Sequence, residues 1–520
     1  MLSDEGSDAL GFEPELWDAA NKLRGKMDAA EYRRVVLPLV FLKYVSDAFV
    51  DTRERLIKEG KDPDERDEYV EKRIIWVPEK ARWTDIVKTA EAWDGAPENY
   101  SIGKIIDNAM KAIENENPGL KQVLVARFNK PEIDQRVLRD VVILFGDLPS
   151  FGDEEARSKD VIGRVYEYFI GEFAELENKG GEYFTPRSVV RLLVELLQPY
   201  EGKIYDGCCG SGGMFVQSLK FMQAHSGKKA NISVFGQESN PETWRLAKMN
   251  LAIRHIPANL GDTWADTLHN DLHPDLEAEY VMVNPPFNIK DWGWEEAKMK
   301  NYHYIYGFPP KGNANYAWIQ HYLSKLAGNG MAAIIMSNGS LSSRLMEEKR
   351  IRQKIIAEDK LDCVLMLPDR LFHNTGIFAC VWILSNNKKD PKFRDRSGET
   401  LFIDCRAMGE MVSRKLREFT KEDVEKMAGA YHSWRSKDDY KSYRDQRGFC
   451  KAVTTEVEIA EHEEIIVPGR YVGVPPVPDD GEPFEKKMKR LTKEIGEQFA
   501  ESERLEEEIR MYLGELGFDF

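Results

Sequence analysis

Apolar residues recur at helical spacing in the first third of the chain. The two apolar stripes consist of Leu16, Ala20, Leu23 and Met27, and of Val36, Val40, Tyr44 and Ala48. Such spacing places the apolar side chains on one face of a helix. The charged run 61–71, which contains Pro63, predicts a solvated loop. Few β-branched alternations occur before residue 150, so we predict an N-terminal helical domain over residues 1–155.

The pattern changes near residue 158, where short apolar and β-branched runs begin to alternate with helical stripes. The predicted strands are 204–205, 232–235, 280–283, 331–336, 363–367 and 378–384, and the predicted helices between them include 188–197, 214–224 and 243–255. This alternation is typical of an α/β fold with a mostly parallel sheet and right-handed crossovers. Residues 156–475 are therefore the candidate catalytic domain.

The C-terminal segment 483–516 has a heptad-like pattern. The a and d positions hold Met488, Leu491, Ile495, Leu505, Ile509, Tyr512 and Leu516. Gln498 and Ser502 interrupt this apolar seam. A lone charged helix is stable only when it docks on something. Residues 476–520 therefore either pack on their own chain or form a coiled-coil contact with a partner protein.

The composition is that of a folded protein. The chain has 520 residues, of which 42% are apolar and 11% aromatic, and that length allows roughly two to four domains. The first eight residues are polar and acidic, and the short apolar stretch 35–42 contains Pro38. Neither segment predicts a secretory signal or a membrane span. Six cysteines without a CxxC pair predict reduced thiols in a cytoplasmic protein, and no structural metal.

The formal net charge of −16 restricts how the protein can bind nucleic acid. Proteins that hold DNA alone usually carry a basic footprint, because neutralising the phosphates supplies most of their non-specific affinity. This acidic chain either does not touch nucleic acid, or it carries local basic residues and relies on a partner for most of the binding.

A glycine-rich segment follows the first predicted strand. Residues 206–213, here named the glycine loop, have the sequence Asp-Gly-Cys-Cys-Gly-Ser-Gly-Gly and precede a predicted helix. Glycines let the backbone pass close to a ligand, because no side chain intrudes and positive φ is allowed. Doubly wound sheets bind ligands at the carboxyl ends of their strands, where this loop lies. The absence of a GxxxxGK[ST] pattern disfavours a nucleoside triphosphate, and a simple tight turn is the alternative.

An acidic residue, Glu238, ends the next predicted strand. A carboxylate there can accept both ribose hydroxyls of an adenosine moiety. NAD and S-adenosylmethionine both present those hydroxyls, so the residues alone leave both cofactors open. Alternatively, Glu238 is only a charge near the N-terminus of the helix that Asn240 and Pro241 open. Asp262 is a candidate partner for the adenine amino group.

The strand 280–283 leads into the tetrad Asn284, Pro285, Pro286 and Phe287. Two prolines cannot continue a parallel ladder, so the chain leaves the sheet as a stiff loop. The asparagine offers a carboxamide oxygen, the prolines aim a backbone carbonyl beside it, and Phe287 offers a face for stacking. Two fixed acceptors suit a planar amino group with two donors. Simple turn chemistry is the alternative.

The tetrad suits an amino group that is a poor nucleophile, such as N6 of adenine, whose lone pair is delocalised into the ring. Two acceptors on its hydrogens favour a pyramidal nitrogen and stabilise the positive charge that develops as a methyl cation arrives. In a duplex the base must be flipped out, and stacking on Phe287 offsets part of the unpairing. The chain has no Pro-Cys dipeptide, which a cytosine-C5 enzyme would use as its nucleophile.

In this order, the segments resemble the modification (M) subunits of type I restriction–modification systems, a family of adenine-N6 DNA methyltransferases. The similar segments are 181–187, the glycine loop, Glu238 with 249–251, the tetrad, 367–368 with Phe372, Thr375 and Gly376, and 468–473. The resemblance implies an α/β, Rossmann-like core that uses S-adenosylmethionine. The cofactor-binding residues that it implies are Glu182, Tyr183, Phe184, Thr185, Pro186, Arg187, Ser211, Gly212, Gly213 and Glu238. Asp206 and Gly210 of the glycine loop, together with Asp262, complete the predicted cofactor-binding set. Thr185 and Pro186 also suit the N-cap and first position of the following helix.

The resemblance also implies partners. The substrate is double-stranded DNA, and a separate specificity subunit selects the sequence. Two M subunits typically flank one specificity subunit, and a restriction–translocase subunit can join them. This division of labour accounts for the acidic charge and assigns the C-terminal heptads to the specificity subunit. Two alternatives are a methyltransferase for protein glutamine or RNA, and a non-catalytic scaffold that binds S-adenosylmethionine and partners.

Overall fold

The structure, a computed structural model, covers most of the chain. It describes residues 21, 29–93, 101–125, 127–150, 153, 161–163, 165–166, 168–169, 185–226, 231–295, 304–372, 378–414, 416–475 and 484–515. Residues Met1–Gly473 form one unit, and residues Val474–Phe520 form a second. All six cysteines lie in the first unit and are free thiols.

The second predicted apolar stripe is confirmed as the buried face of a long helix, α1 (Ala29–Lys58). All four of its stripe residues are buried. The first stripe, which comprises Leu16, Ala20, Leu23 and Met27, lies outside the described residues. Four further helices follow in this part of the chain, namely α2 (Arg66–Glu71), α3 (Trp83–Glu91), α4 (Ile102–Glu116) and α5 (Gln135–Asp147).

The predicted loop over residues 61–71 is wrong in its second half, because α2 begins at Arg66. Tyr69 on this helix is buried and stacks on Phe49 of α1, with ring centroids 4.8 Å apart. One buried aromatic therefore anchors a turn of helix whose other residues are mostly charged. The charged residues around Tyr69 made the sequence pattern predict a loop.

A nine-stranded sheet forms the centre of the first unit. Its strands are β1 (Glu201–Asp206), β2 (Asn231–Gly236), β3 (Ala258–Asn259), β4 (Ala278–Val283), β5 (Leu326–Ser337), β6 (Leu361–Met366), β7 (Ala379–Ser385), β8 (Glu399–Asp404) and β11 (Cys450–Thr454), and a separate pair consists of β9 (Glu410–Met411) and β10 (Arg417–Glu418). The spatial order is β11-β8-β6-β7-β5-β4-β1-β2-β3. All six predicted strands are confirmed. The sequence patterns missed β3, β8, β9, β10 and β11.

The sheet is parallel from β3 to β5 and mixed beyond it. Strand β7 runs antiparallel to both of its neighbours, β5 and β6, and β11 runs antiparallel to β8. The remaining pairs are parallel. The strand order reverses between β1 and β4, and open α/β sheets bind ligands at such a switch point, outside the carboxyl ends of the strands.

Hydrophobic cores cover both faces of the sheet. Successive residues of β5, Ala333 and Ile334, lie in different cores, as the alternation of side chains along a strand requires. The helices of this region are α6 (Arg187–Leu197), α7 (Gly213–Ser226), α8 (Pro241–Ile253), α9 (Asn315–Ser324), α10 (Met346–Ala357), α11 (Lys421–Arg435) and α12 (Gly469–Val472). Buried residues of α6, α7, α8 and α11 belong to one core, and those of α9, α10 and α12 belong to the other.

The helical part of the first unit docks on α8. Glu242, in the first turn of α8, forms ion pairs of 2.7 Å with both Arg127 and Arg245. At the other end of α8, the Tyr44 hydroxyl donates a hydrogen bond to the Ile253 carbonyl at 2.9 Å. Both ends of α8 therefore contact the N-terminal part of the first unit, through the loop residue Arg127 at one end and Tyr44 of α1 at the other.

The second unit contains one long helix, α13 (Phe484–Glu515), as the heptad pattern predicts. Met488, Ile495, Leu505, Ile509 and Tyr512 are exposed on it. Leu516 lies outside the described residues. Among the helices that the structure describes, none is both long and apolar enough to cross a membrane.

Candidate functional site

The glycine loop leaves β1 at Asp206 and reaches α7 at Gly213. Gly210 and Gly212 have φ angles of +54° and +80°, in the left-handed region that glycine adopts without strain. A Cβ atom added at Gly210 or Gly213 would meet nothing within 4 Å. The loop therefore borders open space at the carboxyl end of β1, where the backbone can approach a ligand.

Hydrogen bonds from the neighbouring strand and helix hold this loop. The Cys209 N–H donates to the Gln237 carbonyl at 3.0 Å, and the Asn250 side chain of α8 donates to the Ser211 carbonyl at 2.7 Å. Both contacts fix the backbone and leave the glycine faces clear. These two hydrogen bonds therefore hold the loop backbone without occupying its glycine faces.

Asp206, the first residue of the loop, is buried and accepts the Cys208 N–H at 2.9 Å. Burial raises the pKa of its carboxyl to about 8, and the nearby negative charge of Glu238 adds to the rise. Burial therefore favours the protonated form of Asp206.

Glu238, which follows β2, faces the glycine loop. Its Oε2 accepts the Gly210 N–H at 3.0 Å, and its Oε1 accepts the Asn240 N–H at 2.8 Å. Asn240 in turn caps α8, with Pro241 at the first helical position. The helix-opening role predicted for Asn240 and Pro241 is thus confirmed. Each carboxylate oxygen accepts more than one donor, so these backbone contacts leave acceptor capacity for hydroxyl groups.

Asp262 lies in the loop after β3 and is exposed. Among the described residues, Asp262 interacts electrostatically with Lys248 of α8. Glu238 accepts a hydrogen bond from Gly210, and its negative charge lies near enough to Asp206 to raise the pKa of that carboxyl. Within the described part of the chain, no hydrogen bond joins Asp262 to these three residues.

Asn284 follows β4, and parallel pairing of β1 with β4 aligns Tyr205 with Val281. The tetrad and the glycine loop consequently lie at the same edge of the sheet. The Asn284 Nδ2 donates to the Thr185 hydroxyl at 2.9 Å. Its Oδ1 is buried, and within the described part of the chain it has no hydrogen-bond partner. A buried acceptor without a donor is costly, so this oxygen is a candidate contact for a ligand donor.

A polar network fixes the backbone just after the tetrad. Asn288 has a φ of +55°, and its side-chain oxygen accepts hydrogen bonds from Asn315 at 2.9 Å and Ser337 at 3.1 Å. The Asn315 Oδ1 accepts the Asn288 N–H at 2.9 Å. Sequence reasoning missed these residues, and the available signal was the polar residues Asn315 and Ser337 at the boundaries of apolar segments.

Phe287 is half-buried and meets Phe372 edge to face, with ring centroids 6.2 Å apart and an interplanar angle of 90°. Phe372 is buried. The perpendicular Phe372 ring packs against the Phe287 ring in this edge-to-face geometry.

The segment before α6 departs from the prediction. Pro186 is the N-cap of α6, no side chain caps the helix, and Arg187 is its first residue. The predicted N-cap role of Thr185 is therefore wrong, because its hydroxyl contacts Asn284 instead. Arg187 is exposed. Glu182, Tyr183 and Phe184 lie outside the described residues.

No group of metal-binding side chains occurs in the ranges that the structure describes. The geometry consists of a glycine-lined cradle, a carboxylate at the end of β2 and a buried amide oxygen at the end of β4. Such a site can bind a nucleoside-like ligand and present an acceptor to an amino group.

Comparison with known proteins adds two family matches. A family model described as N-6 DNA Methylase matches residues 157–480, and one described as HsdM N-terminal domain matches residues 12–145. The first match covers more than half of the chain.

Two curated relatives and one solved structure extend this similarity. The HindI methylase subunit of the type I restriction enzyme from Haemophilus influenzae is 44% identical over 455 residues, which are 85% of this chain and 100% of that protein. The MjaIX methylase subunit from Methanocaldococcus jannaschii is 34% identical, covering 98% of this chain and 92% of that protein. A type I methyltransferase subunit from Streptococcus thermophilus superposes with a TM-score of 0.73 at 24% identity, covering 89% of this chain and 99% of that one, which shows a shared fold.

Proposed function

Because this chain belongs to the N-6 DNA methylase family, as a methylase subunit of the type I restriction enzymes, we propose that its tetrad holds a DNA adenine while the N6 atom is methylated. The chain is an adenine-N6 DNA methyltransferase. The observation that carries the residue assignment is the buried Asn284 Oδ1, which has no donor among the described residues. An amino group of a flipped base supplies that donor.

The residues at the switch point suit S-adenosylmethionine as the methyl donor. Gly210 and Gly213 border open space that a side chain would fill, and Glu238 has acceptor capacity for ribose hydroxyls. Ser211 and Gly212 complete the cradle, and Asp262 remains a proposed contact for the adenine of the cofactor. When bound, S-adenosylmethionine supplies an electrophilic methyl group on a sulfonium.

The tetrad then acts on the amino group of the substrate. Asn284 Oδ1 accepts one N6 hydrogen, and a backbone carbonyl of the Pro285-Pro286 pair accepts the other. These acceptors return electron density to N6 and stabilise the positive charge that builds up on it. Fixed dipoles of this kind contribute about 3–4 kcal/mol each in comparable sites. Phe287 stacks on the extruded base and offsets part of the unpairing.

We assign recognition of the DNA sequence to a specificity subunit. The net charge of −16 favours a partner that supplies most of the DNA contacts. The exposed apolar residues of α13, including Ile495 and Ile509, are the proposed contact with that subunit, with two copies of this chain for each specificity subunit. A restriction–translocase subunit completes the proposed complex.

The proposed domains are 1–155, 156–475 and 476–520, with chemistry in the second. The proposal includes a cytoplasmic location, since six free thiols suit a reducing compartment. A methyltransferase for protein glutamine or RNA would hold its amino group with the same two acceptors of the tetrad. A non-catalytic scaffold would not use those acceptors.

Sequencing of modified bases in cells tests the whole proposal. Cells that express this chain with its specificity subunit should contain N6-methyladenine at one defined sequence, and cells that express the chain alone should not. Methylation that needs no partner would contradict the division of labour. The absence of N6-methyladenine in both strains would contradict the proposed reaction.

A further inference from the structure

The side chain of Thr185 contacts the side chain of Asn284, the proposed catalytic asparagine. The Asn284 Nδ2 donates to the Thr185 Oγ1 at 2.9 Å, although the two residues are 99 positions apart in the chain. Thr185 directly precedes the N-cap of α6, and Asn284 directly follows β4. The contact therefore joins the start of a helix to the end of a strand.

The Thr185 hydroxyl has no capping role in α6. The N-cap is Pro186, and no side-chain hydrogen bond caps the helix. The contact that the structure gives this hydroxyl is the hydrogen bond from Asn284.

This hydrogen bond anchors the Asn284 carboxamide, and in the orientation that the structure shows, Oδ1 is the atom left to meet the reacting base. A carboxamide has a donor end and an acceptor end, and rotation by 180° exchanges them. With Nδ2 on Thr185, the acceptor Oδ1 occupies the buried position that has no donor among the described residues. The opposite orientation would place an NH2 group against the amino group of the base, donor against donor.

We propose that Thr185 is a positioning residue for Asn284, and this inference rests on the proposed function. Its hydroxyl accepts the amide N–H and restrains the carboxamide in the orientation of the structure, with Oδ1 toward the amino group that is methylated. Hydrogen bonds in series polarise one another. Charge that develops on N6 therefore strengthens both the contact at Oδ1 and the contact at Nδ2, and the benefit is larger in the transition state than in the bound substrate.

The role predicts a split between kcat and cofactor binding. In the full chain with its specificity subunit and cognate DNA, Thr185→Val, which keeps the shape but removes the hydroxyl, should lower kcat about 10- to 100-fold, the equivalent of one lost hydrogen bond to a developing charge. The dissociation constant for S-adenosylmethionine should change less than about threefold. Thr185→Ser, which restores the hydroxyl, should recover kcat to within about threefold of the wild type.

Ser433→Ala is the matched control. Ser433 lies on α11, outside the proposed site, and its hydroxyl donates to the Gly429 carbonyl of the same helix at 2.8 Å. Removing that hydroxyl should leave kcat within about twofold. If Thr185→Val does not fold, Thr185→Ala replaces it, and loss of kcat in Ala with recovery in Ser supports the role equally.

Two results would overturn the inference. One is an unchanged kcat in both hydroxyl-free variants, and the other is a loss confined to cofactor affinity, which would make Thr185 a cofactor contact. Either result leaves the wild type forming N6-methyladenine. A wild type that forms none would refute the proposed function itself, so the two failures are distinguishable.

Discussion

The carboxylate of Glu238 accepts the backbone N–H of Gly210 at 3.0 Å. This contact links the end of β2 to the glycine loop and orients the carboxylate. A sequence motif alone suggests that Glu238 binds ribose. The structure adds that the same side chain holds the loop on which the ligand would lie.

We predict that Glu238→Gln weakens binding of S-adenosylmethionine about 10- to 100-fold, because an amide NH2 would face either the Gly210 N–H or the Asn240 N–H, donor against donor. Isothermal titration calorimetry on the purified chain measures the affinity. Ser239→Ala is the control, since Ser239 is exposed and meets Glu238 only at 3.4 Å. Wild-type affinity in Glu238→Gln would refute the dual role.

Phe287→Ala should lower kcat on duplex DNA by roughly 10- to 100-fold, because base–aromatic stacking contributes about 1–3 kcal/mol. Phe287→Tyr keeps the ring and should stay within about threefold. Steady-state methylation assays with the specificity subunit present measure both. The loss should shrink when the target adenine lies opposite an abasic site, since the base is then unpaired without help from the stack. An equal loss on both substrates would argue against base capture.

The buried Asp206 predicts a pH dependence of stability. Burial raises its pKa to about 8, whereas an unfolded aspartate has a pKa of about 4. Protonated Asp206 therefore favours the folded state fully below about pH 4, and this contribution is lost as the pH rises to about 8. Asp206→Asn is neutral at every pH and retains an acceptor for the Cys208 N–H.

Thermal melts from pH 5 to pH 9 test this prediction. The melting temperature of the wild type should fall relative to that of Asp206→Asn as the pH rises toward 8, and the difference should level off above it. A constant difference across the range would show that Asp206 does not titrate there.

The ion pairs of Glu242 should stabilise the docking of the helical part on α8. Glu242→Gln leaves Arg127 and Arg245 without their shared carboxylate, and we expect a loss of about 1–3 kcal/mol in the free energy of unfolding. Urea denaturation of the full chain measures it. Glu295→Gln breaks the exposed pair with Lys311 and should change stability by less than about 0.5 kcal/mol. Equal effects of the two substitutions would contradict the role of this cluster.

The sequence was sufficient for the central strands because their signals are local. Runs such as 280–283 and 331–336 are apolar over their whole length and include β-branched residues, as is typical of strands buried on both faces. Short strands with little such pattern, for example β3 and β9, form through pairing with neighbours and leave no local trace. The buried Tyr69 in a charged run was missed for the same reason.

Sequence motifs nominated the candidate site residues, whereas the contacts between those residues required the structure. The tetrad and the glycine loop were found because proline and glycine restrict the backbone in recognisable ways. The pairing of Thr185 with Asn284 could not be predicted, because it joins positions 99 residues apart. From the sequence alone, a threonine that precedes a proline suits a helix N-cap as well as it suits a contact with Asn284. The Asn288, Asn315 and Ser337 network likewise depends on three distant segments meeting.

The most direct test of the tetrad is methyl transfer by Asn284→Ala. The purified chain, with its specificity subunit, is supplied with isotopically labelled S-adenosylmethionine and cognate DNA, and the digested nucleosides are identified by mass spectrometry. Labelled N6-methyldeoxyadenosine should form with the wild type and fall about 100-fold or more with Asn284→Ala, while affinity for S-adenosylmethionine stays within about threefold. Undiminished N6-methyldeoxyadenosine from Asn284→Ala would contradict the account.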